Sequence, residues 1–534
     1  MMVCMKRFLF FFIWCWLVLP VEAVPHFMKE TRDSGIDHTY KGGFRYQTGG
    51  GVAAFDCNGD ELPEIYLAGG SEPAALYQNI SQPGGFLKFE KFENSVVNEK
   101  SVIGAYPIDI DGDGHIDLVL LRHGENILFR GLGNCKFERA NERWNFDGRD
   151  HWSSAFSATW EKGQDWPTLA IGNYIYQERD PDGWDGCLDN TLHRPNGKQF
   201  TNPILLKPGH CALSILFSDW NRDGVPDLRV SNDREFYREG EEQLWLLESG
   251  KPPHLYTRDD GWKKLEVYGM GIASHDLTGD GYPEYYLTNM VEGKLQVLAK
   301  DSGGPEYENA EDLYGVRADY PFVGGDPMPS TSWHAEFQDV NNDGLMDLFI
   351  AKGNVDIMPE FAAADPNNLL IGQPDGSFVE SAEEANMISF ERGRGAVLID
   401  LNLDGILDLV VANLKAPTEI WRNVGKGTAQ KTEVHGNWIG LKLHQPGGNR
   451  NAIGSWVQVR TGKKIQRREI TIGGGHAGGQ LGWIHFGLGE NKRAEVRVQW
   501  PDGKWGGWIS VPANSWNQVD RKTNQAKAWK PAGN

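Results

Sequence analysis

The stretch "DIDGDGHIDLVLL", residues 109–121, joins an acidic turn to an apolar run. Its carboxylates stand at positions 1, 3, 5 and 9: Asp109, Asp111, Asp113 and Asp117. Alternating carboxylates in a tight turn converge on one point, which suits a hard cation such as Ca²⁺. An EF-hand would also need a glutamate at position 12 and flanking helices, but position 12 is Leu120 in a strand-like run. The stretch predicts a cation-binding turn that leads into a buried strand.

The same pattern recurs along the chain, so internal repeats decide the fold. The further copies are "DCNGDELPEIYLA" (56–68), "DWNRDGVPDLRVS" (219–231), "DLTGDGYPEYYLT" (276–288), "DVNNDGLMDLFIA" (339–351) and "DLNLDGILDLVVA" (400–412). Position 12 is apolar in every copy. A degenerate copy without these carboxylates, "WEKGQDWPTLAIG", occupies 160–172. We number these loops first to seventh in chain order, which makes the degenerate copy the third.

Each loop sits in a unit of short strands. Alternating segments such as "GVAAF", "GAYPI", "GIASH" and "GAVLI" precede the loops, and apolar strands and turns follow them. Helical periodicity is nearly absent, and the chain contains 65 glycines. Short strands with turn residues, repeated at this long period, are typical of propeller blades, because ring closure buries faces that one small sheet cannot bury alone. The sequence predicts an all-β fold with a seven-bladed β-propeller over residues 24–430.

The chain changes character near residues 425–436, a polar, turn-rich linker. Beyond it, the sequence is strand-like and basic, which predicts a separate small β domain over 435–520 and a tail over 521–534. The segment "GGGHAGG" (473–479) formally contains GxGxxG. A dinucleotide site needs this motif between a strand and a helix, whereas here it separates two strand-like runs, so a nucleotide site is not expected.

The first 23 residues predict a secretory signal peptide. Lys6 and Arg7 precede an apolar core that is too short for an ordinary membrane span, and a small-residue cleavage site ends at Ala23. No later stretch is long and apolar enough to span a bilayer. The mature protein is therefore expected to be secreted or periplasmic.

Four cysteines follow the signal peptide, an even number in an oxidising compartment, which predicts two disulfides. Three pairings are possible. We favour Cys187–Cys211, which would close a long excursion of the chain, and Cys57–Cys135, which would join neighbouring units.

The formal net charge is −20, and much of the acidity lies in the loops. This balance argues against a nucleic-acid partner, which requires a basic surface. The six intact loops predict up to six Ca²⁺ sites. Their expected ligands are side chains at positions 1, 3, 5 and 9, with the backbone carbonyl of His115 at position 7 of the second loop: Asp56, Asn58, Asp60 and Glu64; Asp109, Asp111, Asp113, His115 and Asp117; Asp219, Asn221, Asp223 and Asp227; Asp276, Thr278, Asp280 and Glu284; Asp339, Asn341, Asp343 and Asp347; Asp400, Asn402, Asp404 and Asp408.

The intact loops resemble the FG-GAP/VCBS repeats of integrin-α-type β-propellers, whose loops bind calcium. The segments "GNRNAIGSWVQV", "GGGHAGGQ", "HFGLG" and "VQWPDG" are similar to the ASPIC/UnbV domain. The two together in one exported chain resemble the cartilage acidic protein family. The chain departs from this pattern in the third loop, which lacks the acids, and at Glu61, where glycine is usual. The resemblance implies architecture, calcium and export, but no defined partner.

Two classes of function remain open. The leading hypothesis is a non-catalytic binding or adhesion module that contacts an extracytoplasmic protein or glycan, with calcium as a brace. The segments 172–215 and 300–335 are its expected contact regions, because variable loops on a rigid scaffold carry function. The alternative is an extracytoplasmic enzyme, for example one acting on polysaccharide, with its site in the propeller channel. No catalytic residue is assigned, because histidines such as His334 are expected to be packed or solvated.

Overall fold

The computed structural model describes residues 23–176, 186–233, 240–300, 302–356 and 358–531. The predicted signal peptide, apart from Ala23, lies outside these residues. Within them the helical elements are brief: two 3₁₀ turns and α1, at Phe44–Tyr46, Arg258–Asp260 and Glu311–Tyr314. None of the helices in this described part is long and apolar enough to cross a membrane. The all-β prediction is confirmed.

Sheets of four antiparallel strands follow one another along the first part of the chain. After β1 (His26–Lys29) they are formed by β2 (Val52–Phe55), β3 (Glu64–Leu67), β4 (Ala75–Asn79) and β5 (Phe89–Lys91); β6 (Val102–Ile108), β7 (Asp117–Gly124), β8 (Ile127–Gly131) and β9 (Phe137–Arg139); β10 (His151–Thr159), β11 (Thr168–Asn173), β12 (Asn190–His193) and β13 (Ile204–Leu206); β14 (Ala212–Ser218), β15 (Asp227–Asn232), β16 (Gln243–Leu246) and β17 (His254–Leu255); β18 (Ile272–His275), β19 (Glu284–Leu287), β20 (Lys294–Leu298) and β21 (Tyr307–Asn309); β22 (Ser332–Gln338), β23 (Asp347–Lys352), β24 (Asn368–Gly372) and β25 (Phe378–Glu380); and β26 (Gly393–Ile399), β27 (Asp408–Asn413) and β28 (Ala416–Gly425). Every numbered loop joins the first two strands of one sheet.

The first strands of neighbouring sheets lie side by side, and the last of them, β26, lies against the first, β2. The cycle is fastened by β1, which pairs with β28 and so completes the last sheet with the N-terminal end of the chain. Apolar side chains fill the space between sheets; Ile65 and Leu67, for example, pack with Val397 and Val410. This closed ring of sheets is a β-propeller, as the repeats predict.

The C-terminal domain contains two further four-stranded sheets and one strand outside them. Its strands are β29 (Asn437–His444), β30 (Trp456–Thr461), β31 (Lys464–Glu469), β32 (Gly479–Leu481), β33 (Ile484–Gly489), β34 (Arg493–Gln499), β35 (Ile509–Pro512), β36 (Ser515–Asp520) and β37 (Gln525–Trp529). Strand β37 pairs with β36. The domain therefore continues beyond residue 520, into what the sequence leaves as a tail.

The two domains share one hydrophobic core. Tyr106 and Phe156 of the propeller belong to the same buried cluster as Ile439 and Val457 of the C-terminal domain. Strand β32 leaves its own domain and pairs in parallel with β2, the first strand of the ring. The C-terminal domain is thus built into the propeller.

Both favoured disulfides are present. Cys57–Cys135 ties the first loop to the turn between β8 and β9, and Cys187–Cys211 closes the excursion between β11 and β14. Disulfides of this kind persist in oxidising compartments, which indicates an extracellular protein.

Candidate functional site

The six intact loops share one hydrogen-bonded frame. In each, the N–H of position 6 donates to the carboxylate of position 1, at 2.7–3.2 Å. The N–H of position 7 donates to the carboxylate of position 5, at 2.6–3.2 Å. These bonds wrap the backbone around its own acids. The same spacing of residues therefore produces the same two hydrogen bonds in all six loops.

The carboxylate at position 9 also accepts hydrogen bonds that hold the loop in place. In five of the loops it accepts the N–H of position 2, at 2.6–3.0 Å. In the fourth loop the indole Nε1 of Trp220, also at position 2, donates to Asp227 instead. Asp117 uses its other oxygen to accept the N–H of Gly131 on the third strand, at 2.8 Å. Position 9 thus fastens the loop to its sheet.

The second loop shows which predicted ligands come together. Oxygens of Asp109, Asp111 and Asp113 lie within 4.8 Å of one another. Asp117 is not part of this cluster. The His115 N–H donates to Asp113, and its ring lies beside Gly133, where a Cβ would come within 2.9 Å of it. The His115 side chain is exposed and lies against the turn at Gly133, outside the cluster of carboxylate oxygens.

Several loop oxygens are buried without a hydrogen-bond donor. They are Asp109 Oδ1, Asp219 Oδ1, Asp227 Oδ1, Asn402 Oδ1 and Asp404 Oδ2. A buried acceptor without a partner costs about 1–3 kcal/mol, more when it is charged. Ligand sets that consist only of oxygen atoms fit a hard divalent cation. Such a cation would satisfy these acceptors.

Burial also raises the pKa of the loop acids. Burial, with nearby like charges as a further cause, raises the pKa of Asp109 to about 7, of Glu284 to about 8 and of Glu64 to about 9. The pKa values of Asp339 and Asp400 are also raised, first by burial and then by their loop partners Asp343 and Asp404. Without a nearby positive charge, burial favours the protonated form of these carboxyl groups. A bound cation would therefore compete with protons for the same oxygens.

The third loop replaces the acidic cluster with an ion pair. Its single buried carboxylate, Glu161, accepts hydrogen bonds from Thr168 Oγ1 at 2.8 Å and from Arg194 Nε at 2.6 Å. Thr168 stands at position 9, where the other loops carry an acid. Arg194, just after β12, supplies the positive charge. The loop keeps its place in the ring without the side chains of a cation site.

The loops all lie on one face of the ring, and the C-terminal domain covers this face. Lys442 Nζ is 2.6 Å from Glu61 of the first loop, and Arg467 Nη1 is 3.1 Å from Asp276 of the fifth. His485 Nε2 lies 2.5 Å from Asn342 Oδ1 in the sixth loop. The acidic loops are thus a platform for the C-terminal domain, and basic side chains of that domain point at them.

A glycine-rich segment of the C-terminal domain enters the ring. Residues 472–481 touch the first strand of every sheet in the cycle. Gly474 N–H donates to Ile215 O at 2.9 Å and Gly475 N–H to Ile272 O at 2.7 Å. His476, fully buried, holds Met270 O at 2.9 Å through Nδ1. The segment occupies the channel in which the alternative hypothesis places an enzyme site.

Glycines make this approach possible from both sides. A Cβ at Gly478 would lie 2.1 Å from Val52 O, and one at Gly51 would lie 1.9 Å from Ala477 O. Sequence reasoning treats 473–479 as a turn between strands and misses its place in the channel. The available signal was the glycine that opens the first strand of several units, including Gly51 and Gly104.

Sequence comparisons agree with this architecture. A match to the FG-GAP-like repeat covers residues 339–411, and a match to the family described as ASPIC and UnbV covers 445–526. The class defined by the fold is therefore a propeller with FG-GAP-like repeats followed by an ASPIC/UnbV segment.

Among individual proteins, the chain is similar to cartilage acidic protein 1. The human protein is 22% identical over 514 residues, which covers 85% of this chain and 69% of the relative. The mouse protein is 22% identical over 511 residues, with 85% and 70% covered. The resemblance expected from the motifs is confirmed.

Solved structures give more distant likenesses. BBS1N in complex with ARL6DN has a TM-score of 0.42 at 8% identity, covering 75% of this chain and 96% of that one. The Dos1 propeller has a TM-score of 0.36 at 11% identity, covering 77% and 97%. The assignment of the fold rests on the strand pairing described above.

Proposed function

We propose that this protein is an extracellular, non-catalytic binding module whose propeller is braced by up to six Ca²⁺ ions. The observation that carries the proposal is the loop frame repeated six times, with buried oxygens that lack donors in the second, fourth and seventh loops. Side chains at positions 1, 3 and 5 would hold each ion, with position 9 and the position 7 carbonyl nearby. A bound cation would neutralise the clustered acids and satisfy their spare lone pairs.

Bracing fits the placement of the loops better than signalling does. The loops lie between the propeller and the C-terminal domain, so an ion there would hold two domains together and would not be displayed to a partner. Extracellular modules bind calcium at about 10⁻⁴–10⁻³ M, which suits a constitutive structural ion. Calcium would then stabilise the fold that carries the binding surface, without itself contacting the partner.

The opposite face of the ring is the proposed contact surface. There the connections between second and third strands, and between successive sheets, leave the ring; they include the described residues of 174–189, residues 207–211 and residues 310–331. Leu313 and Tyr320 in the latter segment are 78% and 52% exposed. Exposed apolar side chains on loops of a rigid scaffold suit recognition of an extracellular protein or glycan.

Pull-down from the native extracellular milieu tests this proposal. We expect the wild-type protein to capture a specific partner in calcium, and Leu313→Asp or Tyr320→Ala to lose it with an unchanged melting temperature. Leu132→Ala is the matched control, because Leu132 is 42% exposed in the turn between β8 and β9, which Cys57–Cys135 ties to the first loop on the other face of the ring. Equal capture by all variants would contradict the proposed surface. Capture and melting temperature that are both unaffected by calcium removal would contradict the brace.

A further inference from the structure

A cavity lies where the C-terminal domain meets the mouth of the channel. Its volume is about 580 Å³, and its walls come from both domains: the first strands β18, β22 and β26 on one side and residues 468–485 on the other. Cavities of roughly 300–1,000 Å³ with a few convergent polar groups are typical of small-molecule sites. The lining also includes Asp56 and Asn58 of the first loop and His115 of the second, whereas Arg468 lies in the wall formed by the C-terminal domain.

Polar groups are concentrated where β22 faces the cavity. Alternation along this strand turns His334, Glu336 and Gln338 towards the channel, while Ala335 and Phe337 belong to the hydrophobic core. The Glu336 carboxylate accepts hydrogen bonds from Gln338 Nε2 at 2.6 Å, from Leu398 N–H at 3.1 Å and from Gln480 Nε2. Glu336 is thus fixed in place, with several of its lone pairs already used.

Arg468 supplies a positive charge without a carboxylate partner. Its Nη1 donates to Gln338 Oε1 at 2.8 Å. No acid of the described residues forms a salt bridge with it, whereas its neighbour Arg467 pairs with Asp276. A guanidinium has five N–H donors in a planar fork that matches a carboxylate. A half-buried arginine in a cavity wall, using one of these donors, is suited to receive an anion.

The other charged side chains in the wall already have partners, including Asp56 of the first loop, whose carboxylate accepts the N–H groups of Gly59 and Glu61. Lys442 pairs with Glu61, and Glu469 accepts hydrogen bonds from Ser218 Oγ at 2.6 Å and Asp219 N–H at 2.8 Å. Arg468 is therefore the remaining charge for a ligand to neutralise. The nearby Glu336 disfavours a dianion such as phosphate and favours a single negative charge.

The rest of the wall is largely apolar, including Ile272, Leu398, Ile470, Ile472 and Leu481. We propose that this cavity binds a small organic monocarboxylate, whose carboxylate pairs with Arg468 and whose carbon body lies against these side chains. Gln338 positions the guanidinium through the hydrogen bond described above. The site requires both domains, because Arg468 belongs to the C-terminal domain whereas Gln338 and part of the apolar wall, Ile272 and Leu398, belong to the propeller.

Isothermal titration calorimetry on the full chain in calcium tests the site with acetate, hexanoate and glucuronate. Hexanamide serves as the neutral probe and inorganic phosphate as the dianionic one. We expect at least one of the carboxylates to bind with a stoichiometry of one. Loss of the charge-assisted pair predicts affinity for hexanamide about tenfold or more below that for hexanoate. Binding of none of the carboxylates, equal binding of hexanamide, or tighter binding of phosphate would each overturn the proposal.

Variants separate recognition from folding. Arg468→Gln should weaken carboxylate binding about tenfold or more. Arg460→Gln is the matched control, because Arg460 lies on the neighbouring strand β30 and pairs with Glu495 outside the cavity. Leu481→Trp, which fills the cavity and keeps Arg468, should also abolish binding, so the test survives if Arg468→Gln unfolds. Unchanged affinity in either Arg468→Gln or Leu481→Trp contradicts the site.

Discussion

The second and third loops occupy equivalent places in neighbouring sheets but compensate their charges differently. The second loop gathers Asp109, Asp111 and Asp113 within 4.8 Å, and Arg130 contacts the last two of these acids from the adjacent strand. The third loop keeps one carboxylate, Glu161, and binds it to Arg194. The ring tolerates both arrangements. Each loop uses an arginine from outside its own sequence, but Arg130 leaves Asp109 of the second loop without a basic partner among the described residues, whereas Arg194 compensates the buried acid of the third.

The largest expected effect is that of calcium removal. If six loops depend on cations and the third does not, chelation should lower the melting temperature by roughly 10 °C or more, because each site loses its ligand stabilisation. Added calcium should restore the original value. Differential scanning calorimetry with and without EGTA measures this. An unchanged melting temperature would mean that the six acidic loops depend on calcium no more than the third loop does.

Acidity should affect the calcium-free protein next most strongly. Burial raises the pKa of both Asp109 and Asp227 to about 7. The folded chain keeps these protons up to about pH 7, whereas the unfolded chain loses them near pH 4. Their contribution is therefore full below about pH 4 and is lost as the pH rises towards 7, by on the order of 4 kcal/mol for each carboxyl.

Urea denaturation of calcium-stripped protein between pH 5 and pH 8 measures this loss. The double variant Asp109→Asn and Asp227→Asn should make this fall shallower, because amides do not titrate, while other buried acids such as Glu64 and Glu284 still contribute. Saturating calcium should do the same, since the ion replaces the protons. A profile that rises towards pH 8 would show that these acids are ionised in the calcium-free fold.

The ion pair of the third loop should matter whether or not calcium is present. Arg194 and Glu161 are 14% and 6% exposed, so Arg194→Met leaves a buried carboxylate uncompensated. We expect a loss of about 2–4 kcal/mol of unfolding free energy, equal with calcium and with EGTA. Adding Glu161→Gln should recover part of it. A loss confined to calcium-free protein would mean that the third loop also binds a cation.

A single acidic loop should show the smallest effect. Asp113→Ala removes a position 5 ligand and should cost about 1 kcal/mol together with one equivalent of bound calcium. Asp165→Ala is the matched control in the third loop, where Asp165 is exposed and lies outside the Glu161 pair. Native mass spectrometry counts the ions. If Asp165→Ala loses a calcium ion, the third loop binds one, which contradicts the proposal. If Asp113→Ala loses none, the second loop does not bind calcium through this residue.

The repeats predict the propeller and the loop frame well, because both depend on local spacing. The apolar residue at position 12 distinguishes a strand from an EF-hand helix, and the structure places each loop between two strands. The entry of residues 472–481 into the channel is not local. It joins Gly478 to Val52, more than 400 residues apart, and depends on how the domains meet.

Two other features escape sequence reasoning for similar reasons. Arg194 lies outside the degenerate loop that it compensates, so the loop by itself shows only missing acids. Residues 525–529 look polar and short, yet they form β37 because β36 offers an unpaired edge. The glycines that begin the first strands were visible, but glycine is compatible with many turns, and only the packed ring shows what it approaches.

The count of bound calcium ions tests the account most directly. Isothermal titration calorimetry of calcium into stripped protein, checked by native mass spectrometry, measures it without reference to any partner. The account predicts a stoichiometry close to six, one ion for each intact loop and none for the third. A stoichiometry of about three or fewer would contradict it.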